Sequence, residues 1–370
     1  MKLPYYFLSL AFLLFLQPMN GQQALFEQDK CIILSEENKP TTYIDTIYKG
    51  KRSLKLDGKK TSVALTKGKN VRNFRVEMDI AGEVMSGLGF RVQDKFNYRF
   101  IYFRPGMGGT REAIQYIPIY NGALSWVFYN YPIYETTADV SSLEWFHTAF
   151  EVRGTNLKVF VDHSPEPQMD IQLLDSEISG GNFMLRSLFG VSYFANITYE
   201  ELSDGKSKTS QPNMNAFLTS WEISEQFPRD TVSNYFDTLI KKVNKSKNWK
   251  AIEHPRDNYV NFARYFEYPK GVVVARKMLK SDKDKKSILN FDFVGRVKIM
   301  LNGHEVFSYQ KIKFERMFDG MFRVNLDLKK GDNELLVVAE GDAGFFGGKG
   351  FKYLGRLQHT NWGFIARLED

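Results

Sequence analysis

The chain has a single cysteine, Cys31, among its 370 residues. An internal disulfide is therefore excluded, and so is a metal site built from several thiolates. Stability must come from large apolar cores, which a chain of this length can build, and Cys31 reads as a buried small hydrophobe. Histidine is scarce: His147, His163, His254, His304 and His359 are the five. None stands at a metal-ligand spacing and none follows a nucleophile-elbow sequence. His147 reads as a strand-edge residue. No cofactor or metal is expected. No phosphate-cradling loop leads into a helix. The glycine-rich stretch Gly344-Phe-Phe-Gly-Gly-Lys-Gly350 lies between strands and reads as a loop. After the first 22 residues no run is apolar enough to span a bilayer, so no transmembrane segment is expected.

What the chain does have begins at its N-terminus. Lys2, an apolar run from Tyr5 to Leu16, and Gly21 ahead of Gln22 form the layout of a signal peptide over residues 1–22. A secreted, periplasmic or cell-surface location is the expectation. Aromatic residues make up 15% of the chain, with 31 Phe and 19 Tyr. Such content suits sheet-rich cores and sugar-stacking surfaces equally. The net charge of +7 is unevenly spread: residues 23–215 carry 22 Lys/Arg against 23 Asp/Glu, and residues 216–370 carry 27 against 20. A basic second half attracts polyanions, an acidic polysaccharide among them. Its cations are interleaved with acids, as in Ser281-Asp-Lys-Asp-Lys-Lys286, and no nucleic-acid partner is expected.

Periodicity points to an all-β protein. Phe74, Val76, Met78 and Ile80 alternate with Arg75, Glu77 and Asp79, the pattern of a half-buried strand. Further strands are expected at 63–65, 88–92, 98–103, 113–120, 148–153, 157–162 and 190–199. Asn121-Gly122 and Gly154-Thr-Asn156 supply turns. The stretch Ser203–Asn213 lacks large apolar residues and reads as a linker. Val232, Tyr235, Phe236, Leu239, Ile240 and Val243 recur at helical spacing, predicting one short helix. Strands then return at 259–266, 271–279, 287–293, 297–301, 304–307, 322–328, 334–340 and 362–368. The expected architecture is two β-sandwich (jelly-roll) domains in tandem: 23–203, a linker at 204–215, and 216–370.

Phe74-Arg-Val-Glu-Met-Asp-Ile80, Gly87-Leu-Gly-Phe-Arg91, Asn97-Tyr-Arg-Phe-Ile-Tyr-Phe-Arg104 and Leu157-Lys-Val-Phe-Val-Asp162 together resemble the concanavalin A-like lectin/glucanase superfamily, closest to its laminin-G-like branch. The likeness covers roughly residues 30–200. Val297-Lys-Ile-Met-Leu-Asn-Gly303, Val324-Asn-Leu-Asp-Leu-Lys-Lys-Gly-Asp-Asn333 and Trp362-Gly-Phe-Ile-Ala-Arg367 resemble the galactose-binding-like jelly rolls appended to glycoside hydrolases, over about residues 245–370. Both resemblances imply contact with carbohydrate, and one fold hosts many functions.

Two kinds of site follow. Sugar recognition uses aromatic faces and planar polar groups, and the first half concentrates these in Arg91, Tyr98, Tyr102, Arg104, Gln115, Tyr116, Asn121 and Trp126. In the second half Trp249, Arg276, Asp292, Trp362 and Arg367 are weaker candidates. Glycoside hydrolysis would require two carboxylates, for which Glu77, Asp79, Glu83 and the distant Glu112 are available. Glu77 and Asp79 share a strand face, but Gly82 threatens the continuation to Glu83, and the cluster reads as a solvated polar face. The leading expectation is a secreted, non-catalytic carbohydrate-binding protein for oligo- or polysaccharide. A glycoside hydrolase of the glucanase type and a protein-binding adhesive module are the alternatives.

Overall fold

The computed structural model describes residues 25–58, 60, 62–174, 180–203, 217–228, 248–253, 257–342 and 352–369. The expected leader, linker and short helix, together with His254 and the glycine-rich loop, lie outside the described residues.

The N-terminal half consists of two antiparallel sheets packed face to face. The first runs β1 (Cys31–Leu34), β4 (Val63–Thr66), β13 (Asn182–Leu188), β6 (Met85–Asp94), β7 (Asn97–Phe103), β8 (Ile114–Ile119), β9 (Glu135–Thr136). The second runs β12 (Met169–Gln172), β11 (Asn156–Val161), β10 (Phe146–Arg153), β5 (Phe74–Gly82), β14 (Val191–Glu201), β3 (Lys51–Asp57), β2 (Asp45–Tyr48). The alternation in β5 does what its pattern predicts. Phe74, Val76, Met78 and Ile80 are sealed between the sheets, and Phe74 meets Phe90 and Phe183 edge-on at centroid distances of 5.6 and 4.8 Å. Each such ring contributes about 1.5–3 kcal/mol by burial. Cys31 packs into this core, and burial pushes its thiol up to about 11.

The C-terminal half is also a sandwich. Its strands run β16 (Lys250–Glu253), β15 (Ser220–Ile223), β18 (Lys270–Ser281), β22 (Gly331–Asp342), β19 (Lys285–Leu301), β25 (Gly363–Glu369), β17 (Tyr259–Asn261), with β20 (His304–Lys313) and β21 (Phe322–Leu328) also paired to β19. The sequence predicts two strands where β19 is one. It pairs with β21 over Lys285–Phe291 and with β22 over Arg296–Leu301, so a single strand serves both layers. The bend falls at Gly295, whose φ of 102° is open to glycine and strained for other residues. Trp221 on β15 meets Phe364 on β25 across the layers at 5.0 Å.

The two halves share one contiguous apolar cluster. The outer face of the first sheet, carrying Tyr98, Phe100, Tyr102, Met184 and Arg186, is not open to water, because the chain from Lys352 to Thr360 lies across it. This segment forms the small ladder of β23 (Lys352–Tyr353) with β24 (Arg356–Leu357). Tyr353 receives a hydrogen bond from Tyr98 at 3.1 Å and donates to the Lys95 carbonyl at 2.8 Å. Gln358 donates to the Gly122 carbonyl at 2.7 Å, and Leu124 pairs with Thr360. The loop after Asn121-Gly122 is gripped from the other side. Tyr129 donates to Asp257 at 2.7 Å, Asn121 to the Ala263 carbonyl at 2.8 Å, and Asn130 to the Met317 carbonyl at 3.2 Å.

Candidate functional site

A groove of about 520 Å³ opens where the first sheet meets the C-terminal half. Its walls come from separate parts of the chain: the Glu83-Val84 turn after β5, Arg104 and Met107 after β7, Trp126 in the gripped loop, Phe189 between β13 and β14, Phe314 after β20, and Gln358 to Thr360. Val84, Met107 and Phe189 are 39%, 39% and 44% exposed, so three of the large apolar side chains left to solvent gather at this one groove.

Two groups in the wall are held rigidly. The Arg104 guanidinium donates to Glu112 at 2.6 Å, to the Tyr102 hydroxyl at 3.0 Å and to Gln115 Oε1 at 3.0 Å. Gln115 in turn donates to the Trp126 and Tyr129 carbonyls at 3.2 and 2.6 Å. Tyr102 also donates to Gln115. The Trp126 ring meets Phe314 edge-on at 5.7 Å, and the Arg316 guanidinium lies 5.4 Å from its centre. Arg316 bridges Glu112 at 3.0 Å and Glu135 at 2.7 Å. Charge, ring and backbone are thus tied into one network spanning both halves. His359, further along the wall, lies below the usual imidazole range because of its burial, which outweighs contacts to the Thr360 and Glu267 carbonyls.

The sequence-predicted binding residues divide sharply. Arg104, Asn121 and Trp126 are half-buried, and Arg104 and Trp126 line the groove. Arg91, Tyr98, Tyr102, Gln115 and Tyr116 have at most 2% of their surface exposed. Arg91 sits at a bulge in β6 with φ 48° and donates to the Arg72 and Gly154 carbonyls. Tyr102 and Gln115 hold Arg104 from beneath, Tyr98 binds Tyr353 and Arg186, and Asn121 makes a turn tied to Ala263. The aromatic face read from β7 therefore belongs to an interface between layers, and its polar members carry the groove wall from behind.

The four carboxylates fall in three places. Glu77 and Asp79 share the outer face of β5, whereas Glu83 lies past the strand's end at Gly82 and lines the groove. Glu112 is clamped between Arg104 and Arg316. Asp79 receives Lys51 Nζ at 2.7 Å and Asn196 Nδ2 at 2.6 Å, and His147 Nδ1 lies 2.9 Å away. Burial would raise the Asp79 carboxyl, but these bonds outweigh it and hold the group below its ordinary range. A glycosidase acid needs the opposite shift. His147 is thus a partner of Asp79, and its ring stacks on His163 at 4.0 Å; with Trp145 these residues border a second, shallow cleft. In the second half, Arg276 lies over Trp249 at 4.1 Å, Lys313 pairs with Asp292 at 2.9 Å, Arg367 pairs with Asp319 at 2.6 Å, and Trp362 is fully buried. No group of three or more His, Cys, Asp or Glu suited to a metal ion occurs among the described residues.

Protein-family models give no match to the chain, and neither do the curated proteins. Solved structures give likenesses over about half of it. The carbohydrate-binding module CBM66 from Bacillus subtilis is 20% identical over 48% of this chain and 99% of its own, with a TM-score of 0.36. A candidate glycosyl hydrolase from Parabacteroides distasonis is 16% identical over 50% of this chain and all of its own (100%), with a TM-score of 0.36. The exoplasmic/lumenal domain of VIP36, solved with Ca²⁺ and Man3GlcNAc, is 12% identical over 44% and 83%, with a TM-score of 0.32. No residue role is transferred from any of them.

Proposed function

We propose that the chain is a non-catalytic, extracellular carbohydrate-binding protein whose oligo- or polysaccharide ligand lies in the groove between the two sandwiches. The division at 204–215 and the leader at 1–22 belong to the same reading, as do the resemblances to concanavalin A-like and galactose-binding-like sandwiches. The observation that carries it is the joint immobilisation of Arg104 and Trp126 by Glu112, Tyr102, Gln115 and Arg316 in one open groove. A sugar offers an apolar C–H face and a rim of hydroxyls. Trp126 supplies a flat face with Phe314 set edge-on beside it, and Arg104 and Glu83 supply the polar contacts. Preorganisation lowers the ordering cost of binding.

The test is a glycan panel probed with residues 23–370 and with Trp126→Ala and Phe314→Ala. The reading predicts a ligand for the parent chain and a loss of at least about tenfold in each variant, equal to ~1.4 kcal/mol, with circular dichroism unchanged. A bound glycan whose affinity ignores both changes would remove the groove from the account. The exposed Val84, Met107 and Phe189 favour a second reading, an apolar protein segment as ligand. A panel without any bound glycan, together with a peptide whose binding Trp126→Ala abolishes, would establish that one instead.

A further inference from the structure

Arg186 stands apart from the other arginines at the seam between the halves. Arg264 pairs with Asp257 at 2.6 Å, Arg316 with Glu135 at 2.7 Å and Arg296 with Glu340 at 2.9 Å. Arg186, on the outer face of β13 and 1% exposed, has no carboxylate partner among the described residues. Its Nη1 donates to the Tyr98 hydroxyl at 2.7 Å and its Nη2 to Gln358 Oε1 at 2.7 Å, and its Nε has no hydrogen-bond partner. The guanidinium rests 3.7 Å from the Tyr353 ring centre and 5.7 Å from that of Phe100. Ring faces offset part of the charge. Even so, a buried cation without a counter-ion is costly, and a bound anion would offset that cost.

A cavity of about 360 Å³ opens on this group, bordered by Glu36, Ser62, Arg186, Ser187, Lys352 and Tyr353. That volume falls within the range of small-ligand sites. Phe189 and Gln358 form part of the wall of both this cavity and the groove, so the two adjoin. We infer that the cavity binds a carboxylate against Arg186, carried either by an acidic sugar unit of a chain lying in the groove or by a free small carboxylic acid. The first source rests on the groove reading; the second does not. A planar guanidinium matches a carboxylate bidentately, and pairing in a buried site is strong because little water screens it. A phosphate dianion fits less well: Glu36 at the rim adds negative charge, and Lys352 Nζ is engaged by Glu37 at 2.8 Å.

The test is calorimetric titration of the full chain with glucuronate, propionate and, as the neutral control, glucose. Glucuronate binding that falls at least tenfold in Arg186→Met supports the inference, and propionate binding with the same dependence assigns the free-acid source. Should that variant not fold, Arg186→Lys keeps the charge but loses the planar fork, and it should weaken glucuronate binding at least tenfold. Absence of glucuronate and propionate binding to the parent chain, or binding equal in all three proteins, overturns the inference. Neutral glycans that still bind through Trp126 in that case leave the groove reading standing. Glucuronate held by Arg186 with no glycan in the groove leaves only the carboxylate site.

Discussion

Replacing Arg316 by methionine tests the joint between the two halves. The Arg316 side chain is 18% exposed and that of its partner Glu135 is 0% exposed, so the variant strands a carboxylate whose only other described donor is the Tyr131 amide at 3.1 Å. Breaking a buried pair on one side costs about 3–5 kcal/mol. Glu112, the other partner, keeps Arg104 at 2.6 Å, so the value expected is near the lower end, about 3 kcal/mol. The penalty comes from the uncompensated charge more than from the lost bond. Arg316→Met combined with Glu135→Gln should therefore recover about 2 kcal/mol of it. Urea denaturation followed by tryptophan fluorescence measures both, with the slope checked for constancy. The effect should change little between about 0.1 M and 1 M salt, since buried pairs escape screening. A cost for Arg316→Met within about 0.5 kcal/mol of zero, or a double variant no better than the single, would refute the reasoning.

Two further outcomes follow from the same geometry. Asp79→Asn should lower stability by about 1.5–3 kcal/mol at neutral pH, because three polar partners meet a charged oxygen pair there. The folded carboxyl lies below its ordinary value of 3.8, so its contribution is present above that value and disappears as pH falls through the folded one. The gap between variant and parent should shrink as pH drops from about 5 to about 3, and a gap constant in acid would contradict the assignment. Gly341→Ala would bring a Cβ within 2.4 Å of the Trp362 ring, at a cost of about 1–3 kcal/mol. A melting curve identical to the parent's would show that Trp362 can yield.

The strand content was legible because alternation and turn chemistry are local. Thr148–Arg153 and Leu157–Val161 face each other across a turn at Gly154, whose φ is 56°, as their spacing requires. Phe322–Leu328 has the expected ends. The strands Cys31–Leu34, Lys51–Asp57 and Asn182–Leu188 went unread, since their patterns are short or two-sided. The site was legible only in part. Tyr98, Phe100 and Tyr102 alternate identically whether the face they form meets water, sugar or another layer, and it is a segment more than 250 residues away, around Tyr353, that covers them. Arg104 and Trp126 could be named from composition, but Phe189, Phe314 and Arg316 could not, because the fold brings them there from distant positions. Arg186 gave no signal in sequence, where a lone arginine in a strand looks like an outward-facing one.

The central claim is where a glycan binds. The measurement that meets it most directly is a crystal structure of the chain with a bound oligosaccharide taken from the panel. The account predicts a sugar ring against Trp126 with a hydroxyl within hydrogen-bond reach of Arg104, and no movement of Tyr102 or Gln115. Sugar bound elsewhere, such as the Asp79–Trp145 cleft on the opposite sheet, with the groove left to solvent, would contradict it.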